Sequence, residues 1–122
     1  MARIAVMEDS QLMQGVLLRL FQTAGYEVVL WEPGTEAEVA EIAEITAPDL
    51  LITDYQMPGI DGLTAIRLAR KIMPGLPVIV LTAIRDEDIH EAFKKADVNT
   101  VILKPAAALV ILQAVEHLLP KA

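Results

Sequence analysis

Cysteine is absent from this chain of 122 residues, aromatic side chains make up only 4% of it, and basic residues are outnumbered by acidic ones. Without cysteine there is no disulfide and no thiolate metal site, and the redox compartment is left open. Ten Lys and Arg stand against seventeen Asp and Glu, for a formal net charge of -7. Phosphate backbones are held by clustered basic side chains, so this balance argues against direct nucleic-acid binding, and any DNA-binding output belongs on another chain. No apolar stretch approaches the ~20 residues that span a bilayer; the longest candidate, Pro105 to Val115, is short and broken by Gln113. The opening apolar run ends at Glu8 and Asp9, too soon for the core of a signal peptide. A soluble, cytoplasmic protein without a membrane partner is expected. The 54% of hydrophobic residues is ample for one core, so a single domain over 1–122 is expected.

Short β-branched runs recur at Arg3 to Met7, Glu27 to Trp31, Asp49 to Thr53, Pro77 to Leu81 and Thr100 to Leu103. Each reads as a buried strand. Between them lie segments of helical period, first Ser10 to Ala24, with Met13, Val16, Leu17, Leu20, Phe21 and Ala24 on one face. Thr35 with Glu38 forms a capping-box pattern before Ala37 to Ile45. Leu63 to Met73, Asp86 to Ala96 and Ala106 to Leu119 supply the other helices, the last closed by Pro120. Strict alternation, with strands apolar on both faces, predicts a (βα)5 α/β fold whose parallel sheet is covered on both sides.

In such a sheet all strands end at one edge, where ligands bind. That edge receives Glu8 and Asp9 after the first run, Asp54 after the third, Thr82 after the fourth and Lys104 after the fifth. Three carboxylates together repel unless a cation intervenes. Oxygen donors alone favour a hard ion such as Mg²⁺. Lys104 and Thr82, an ammonium and a hydroxyl, suit the equatorial oxygens of a transferring phosphoryl group. The plainer reading is that Asp9 or Ser10 caps the first helix.

The run Asp54-Tyr55-Gln56-Met57-Pro58-Gly59-Ile60-Asp61-Gly62, with Glu8-Asp9, Thr82-Ala83 and Lys104-Pro105, resembles the receiver domain of bacterial two-component response regulators, including the chemotaxis class. The resemblance covers Arg3 to Leu119. It implies a flavodoxin-like, doubly wound five-stranded sheet of order 2-1-3-4-5. It implies that Asp54 accepts a phosphoryl group from the phosphohistidine of a sensor histidine kinase or phosphotransfer protein, switching protein–protein interactions. Mg²⁺ would be held by Asp9, Asp54, the backbone carbonyl of Gln56 and, through water, Glu8. Thr82 would hydrogen-bond the phosphoryl group and Lys104 would pair with it. Gln56 and Ile84 occupy positions that tune hydrolysis, and Lys104-Pro105 matches a frequent cis peptide.

Three positions depart from the family pattern. Val101 stands where Tyr or Phe is common, which puts the usual threonine–aromatic coupling in question. Asp97-Val98-Asn99 replaces a Gly-Ala turn and is expected to adopt left-handed angles. Ala106 replaces an aromatic residue on the face of the fourth helix, fifth strand and fifth helix, where family members dimerise or meet partners. The fifth helix is apolar around much of its circumference. Either it hides a partner face, or Leu109, Leu112, Val115 and Leu119 pack inward and Val110 or Ile111 is simply exposed. His90 and His117 lack ligand spacing, Trp31 is expected to pack under a loop, and Arg67, Arg70 and Lys71 read as a solvated helix face. Two other functions compete: a Mg²⁺-dependent phosphohydrolase, weakened because position 56 is Gln where a second aspartate is needed, and a dimerisation module uncoupled from phosphorylation.

Overall fold

The computed structural model describes residues 1–119, so the helix stop expected at Pro120 lies outside the described residues. Strands β1 (Arg3–Met7), β2 (Glu27–Leu30), β3 (Leu50–Thr53), β4 (Val78–Thr82) and β5 (Thr100–Leu103) alternate with helices α1 (Gln11–Thr23), α2 (Glu36–Thr46), α3 (Gly62–Ile72), α4 (Glu87–Lys95) and α5 (Ala108–Leu118). All strands are parallel, in the order β2-β1-β3-β4-β5.

Because side chains alternate along a strand, each strand feeds two cores. Ala5, Met7, Leu51, Val78 and Val80 face Val39, Ala43, Ile66, Ala69 and Phe93 from α2, α3 and α4. Ile4, Val6, Leu50, Ile52, Ile79 and Leu81 face Leu17, Phe21, Ile111 and Val115 from α1 and α5. The helices start where capping side chains lie: Ser10, Thr35, Asp61 and Asp86 each accept a backbone N–H from the first turn that follows. Glu38 completes the second cap by accepting from Gly34 N–H at 3.2 Å.

The structure departs from the sequence reading at several points, the first being α1, where Val16 and Ala24, expected on the inward face, are exposed. β4 runs one residue further than expected, through Thr82. In α5 the inward face is Ile111, Val115 and Leu119, while Leu109 and Val110 are 63% and 50% exposed. The helix starts at Ala108, so Leu109 falls in its first turn beyond the sheet's cover. Arg70 is not a solvated residue. Its guanidinium donates to the carbonyls of Leu76, Ala96 and Asp97 and to Asn99 Oδ1. It thereby pins the turn in which Asp97 takes the expected left-handed angle, φ 54°. Asn99 Oδ1 also accepts from Val78 N–H at 2.8 Å, tying that turn to the start of β4.

Candidate functional site

Register places the site. Met7 pairs with Thr53 across β1 and β3, so the next residues, Glu8 and Asp54, emerge side by side. Asp54 N–H donates to the Met7 carbonyl at 3.1 Å. On the other flank Thr82 pairs with Leu103, and Lys104 N–H donates to the Thr82 carbonyl at 2.8 Å. Residues up to 96 apart in sequence thus meet at one rim.

Lys104 Nζ lies 2.8 Å from Asp54 Oδ2 and 3.0 Å from Glu8 Oε1. The Asp54 and Glu8 side chains are only 14% and 5% exposed, so these contacts are screened less than surface ion pairs. Burial pushes the Glu8 carboxyl above its usual range despite the opposing pull of Lys104, and the Asp54 and Asp9 charges add to the rise. Burial acts to lower the pKa of Lys104, but its hydrogen bonds to Asp54 and Glu8 outweigh burial and hold the ammonium above its ordinary value.

Glu8, Asp9 and Asp54 each offer an oxygen within 4.8 Å of the others. Ser10, not Asp9, caps α1 by accepting from Met13 N–H at 3.3 Å, so the capping explanation for Asp9 falls away. Lys104 offsets only part of the negative charge. An oxygen-only donor set with excess negative charge fits a hard divalent cation.

Asp54 Oδ1 accepts from Tyr55 N–H at 2.6 Å, so both carboxylate oxygens are oriented. Thr82 is buried, and its Oγ1 accepts from Ile84 N–H at 3.2 Å. Gln56 is exposed on the loop beyond Asp54. The Lys104-Pro105 peptide is cis, as the resemblance implied.

Gly62 has a role that its place in the motif did not reveal. Its N–H donates to the Tyr55 carbonyl at 2.7 Å. A Cβ there would stand 3.1 Å from Tyr55 Cα and closer still to the Asp54 carbonyl oxygen. The first residue of α3 is pressed against the segment leaving Asp54, and no side chain fits between them. The available signal was the Asp-Gly pair, whose aspartate caps α3 while its glycine allows this approach.

Residues 4–116 match the family described as response regulator receiver domain. The chain belongs to that family. Receivers are the phosphorylation-controlled switches of two-component response regulators, and the phosphoacceptor role follows from membership. This receiver is 34% identical over 115 residues to the transcriptional regulatory protein PdtaR of Mycobacterium tuberculosis, covering 93% of this chain and 55% of PdtaR. It is 39% identical over 83 residues to the DNA-binding transcriptional regulator NtrC of Escherichia coli, covering 68% of this chain and 17% of NtrC. The receiver thus spans about half of one relative and a smaller part of the other. Among solved structures, Vibrio cholerae chemotaxis protein CheY4 superposes with a TM-score of 0.86 at 22% identity, covering 98% of this chain and 99% of that one. A response regulator receiver domain protein from Clostridium thermocellum gives 0.83 at 26% identity, covering 97% and 94%. Among the described residues no helix is long and apolar enough to cross a membrane.

Proposed function

We propose that Asp54 is the phosphoacceptor of this receiver and that the rim residues around it assist the transfer. The observation that carries the reading is the single ammonium of Lys104 joined to both Asp54 and Glu8 within an acidic trio. A carboxylate oxygen of Asp54 attacks phosphorus in line, a P–O bond forms, and the P–N bond of the donor phosphohistidine breaks with its electron pair passing to the imidazole nitrogen. Lys104, already held at the carboxylate, offsets charge on the transferring oxygens. Thr82 offers its hydroxyl proton to one of them.

Glu8, Asp9, Asp54 and the Gln56 carbonyl are the residues that would hold Mg²⁺. When bound, that ion supplies charge neutralisation at the carboxylates and the phosphoryl oxygens. The donor would be a sensor histidine kinase or phosphotransfer protein, met in the cytoplasm. The output partner would read the altered surface, with self-association through α4, β5 and α5 as one form that output takes. The domain would act as a switch and not turn over a separate metabolite. Self-dephosphorylation by water would be shaped by Gln56 and by Ile84, whose apolar side chain cannot orient a water.

Intact mass after incubation with Mg²⁺ and acetyl phosphate tests the assignment. One labile phosphoryl group is expected on the wild type and none on Asp54→Asn. An undiminished adduct on Asp54→Asn sinks the proposal.

A further inference from the structure

His90 reaches the site indirectly. Its Nε2 lies 2.7 Å from the Ile84 carbonyl, and because a carbonyl only accepts, Nε2 carries the proton. Ile84 N–H in turn donates to Thr82 Oγ1 at 3.2 Å. A hydroxyl has one proton to give and lone pairs to receive with. Ile84 occupies one of the two lone pairs of Thr82 Oγ1, which narrows the directions in which the hydroxyl proton can point. The orientation of Thr82 therefore depends on where the Ile84 backbone stands, and His90 fixes that backbone from α4.

The same ring is braced from the other side of the site. His90 stands edge-on to Phe93, with centroids 5.2 Å apart at 70°, and Phe93 stands edge-on to Tyr55 at 5.6 Å and 74°. Phe93 is fully buried, which fixes the stack. Tyr55 N–H is the donor to Asp54 Oδ1. A continuous series of contacts joins Asp54 to Thr82 through Tyr55, Phe93, His90 and Ile84, and Val101 packs against the same core as Phe93.

We infer that His90 is a positioning residue for phosphoryl transfer: it holds the loop after β4 so that Thr82 presents its proton to the phosphoryl group. The inference rests on Asp54 being the acceptor. In this chain the loop is then braced through α4, with no need of an aromatic residue on β5.

The test is the rate of phosphoryl uptake from acetyl phosphate in Mg²⁺, followed by intact mass, for the wild type, His90→Leu, His90→Gln, Thr82→Ala and the Thr82→Ala/His90→Leu double variant. Urea unfolding of each serves as the control. His90→Leu is expected to slow uptake roughly threefold to tenfold, the size of one hydrogen bond's net contribution. His90→Gln, which keeps a donor, is expected to recover most of the rate. In the Thr82→Ala background the His90→Leu change should add nothing, whereas a merely structural effect would persist there. An unchanged rate in His90→Leu, or the same slowing with and without Thr82, overturns the inference. If His90→Leu does not fold, beryllofluoride bound to the wild type provides the second measurement: the His90 ring resonances are expected to shift, and unmoved resonances overturn it. A wild type that takes up no phosphoryl group refutes the acceptor assignment itself. Normal uptake with equal rates refutes only the role of His90.

Discussion

Replacing Asp9 by asparagine removes one of three carboxylates whose oxygens lie within 4.8 Å of one another, and it does so without touching the Lys104 contacts. At 4.8 Å two like charges in water repel by ~0.9 kcal/mol. Asp9 is exposed, so the aqueous figure is the appropriate one. It faces two such neighbours, and the attraction of Lys104 returns part of the sum. Asp9→Asn is therefore expected to stabilise the metal-free protein by about 1 kcal/mol, or ~3–5 °C in Tm for a domain of this size. Mg²⁺ reverses the ranking. At a hundredfold excess over its Kd a ligand adds about 2.7 kcal/mol to whichever form binds it, and Asp9→Asn forfeits much of that gain. Urea unfolding in EDTA and in saturating Mg²⁺ reads both effects. If Asp9→Asn is less stable than the wild type in EDTA, or if Mg²⁺ stabilises the two equally, Asp9 is not part of a cation site.

Three other substitutions probe the surrounding frame. The folded state holds the Lys104 proton more tightly than the unfolded chain, so its pairing contributes fully below the ordinary value of 10.5 and is lost as pH rises through the raised folded value. Lys104→Met is expected to lack that alkaline loss in a stability–pH series and to take up phosphoryl about a hundredfold more slowly. Gly62→Ala is expected to cost roughly 1–3 kcal/mol by overpacking and to slow phosphoryl uptake although residue 62 never meets the phosphoryl group; urea unfolding and intact mass give the two readings. Arg70→Met is expected to cost about 1–3 kcal/mol through the carbonyls it leaves unpaired, with uptake unchanged, while Lys71→Met stays within about 0.5 kcal/mol in the same unfolding assay.

The strands were legible because each is apolar on both faces, and the start of α2 because Thr35 and Glu38 make a capping box, whereas the caps at Asp61 and Asp86 emerged only in the structure. The rim residues were legible for a topological reason. In a parallel sheet the residue following each strand is delivered to the same edge, so Glu8, Asp54 and Lys104 could be grouped without coordinates. Contacts that depend on side-chain direction were not legible. Arg70 has the composition of a solvated helix residue, and only the fold brings its guanidinium to the turn at Asp97. Two residues along a helix turn the side chain by about 200°, which separates the observed inward Ile111 from Leu109, expected inward and found exposed. His90 has no ligand spacing in the sequence, and its bond to the Ile84 carbonyl depends on side-chain direction that only the fold supplies. At Val101, which is half-buried against the core beneath α4, the sequence showed a missing aromatic residue and the structure shows aromatic packing displaced to Tyr55, Phe93 and His90.

Borohydride reduction of the phosphorylated protein, followed by peptide mapping that covers positions 9, 54 and 61, tests the assignment of Asp54 most directly, because reduction converts an aspartyl phosphate to homoserine. Homoserine at position 54, formed only after exposure to phosphodonor and Mg²⁺, is expected. Homoserine at position 9 or 61, or none in a protein whose mass shows an added phosphoryl group, would contradict the assignment.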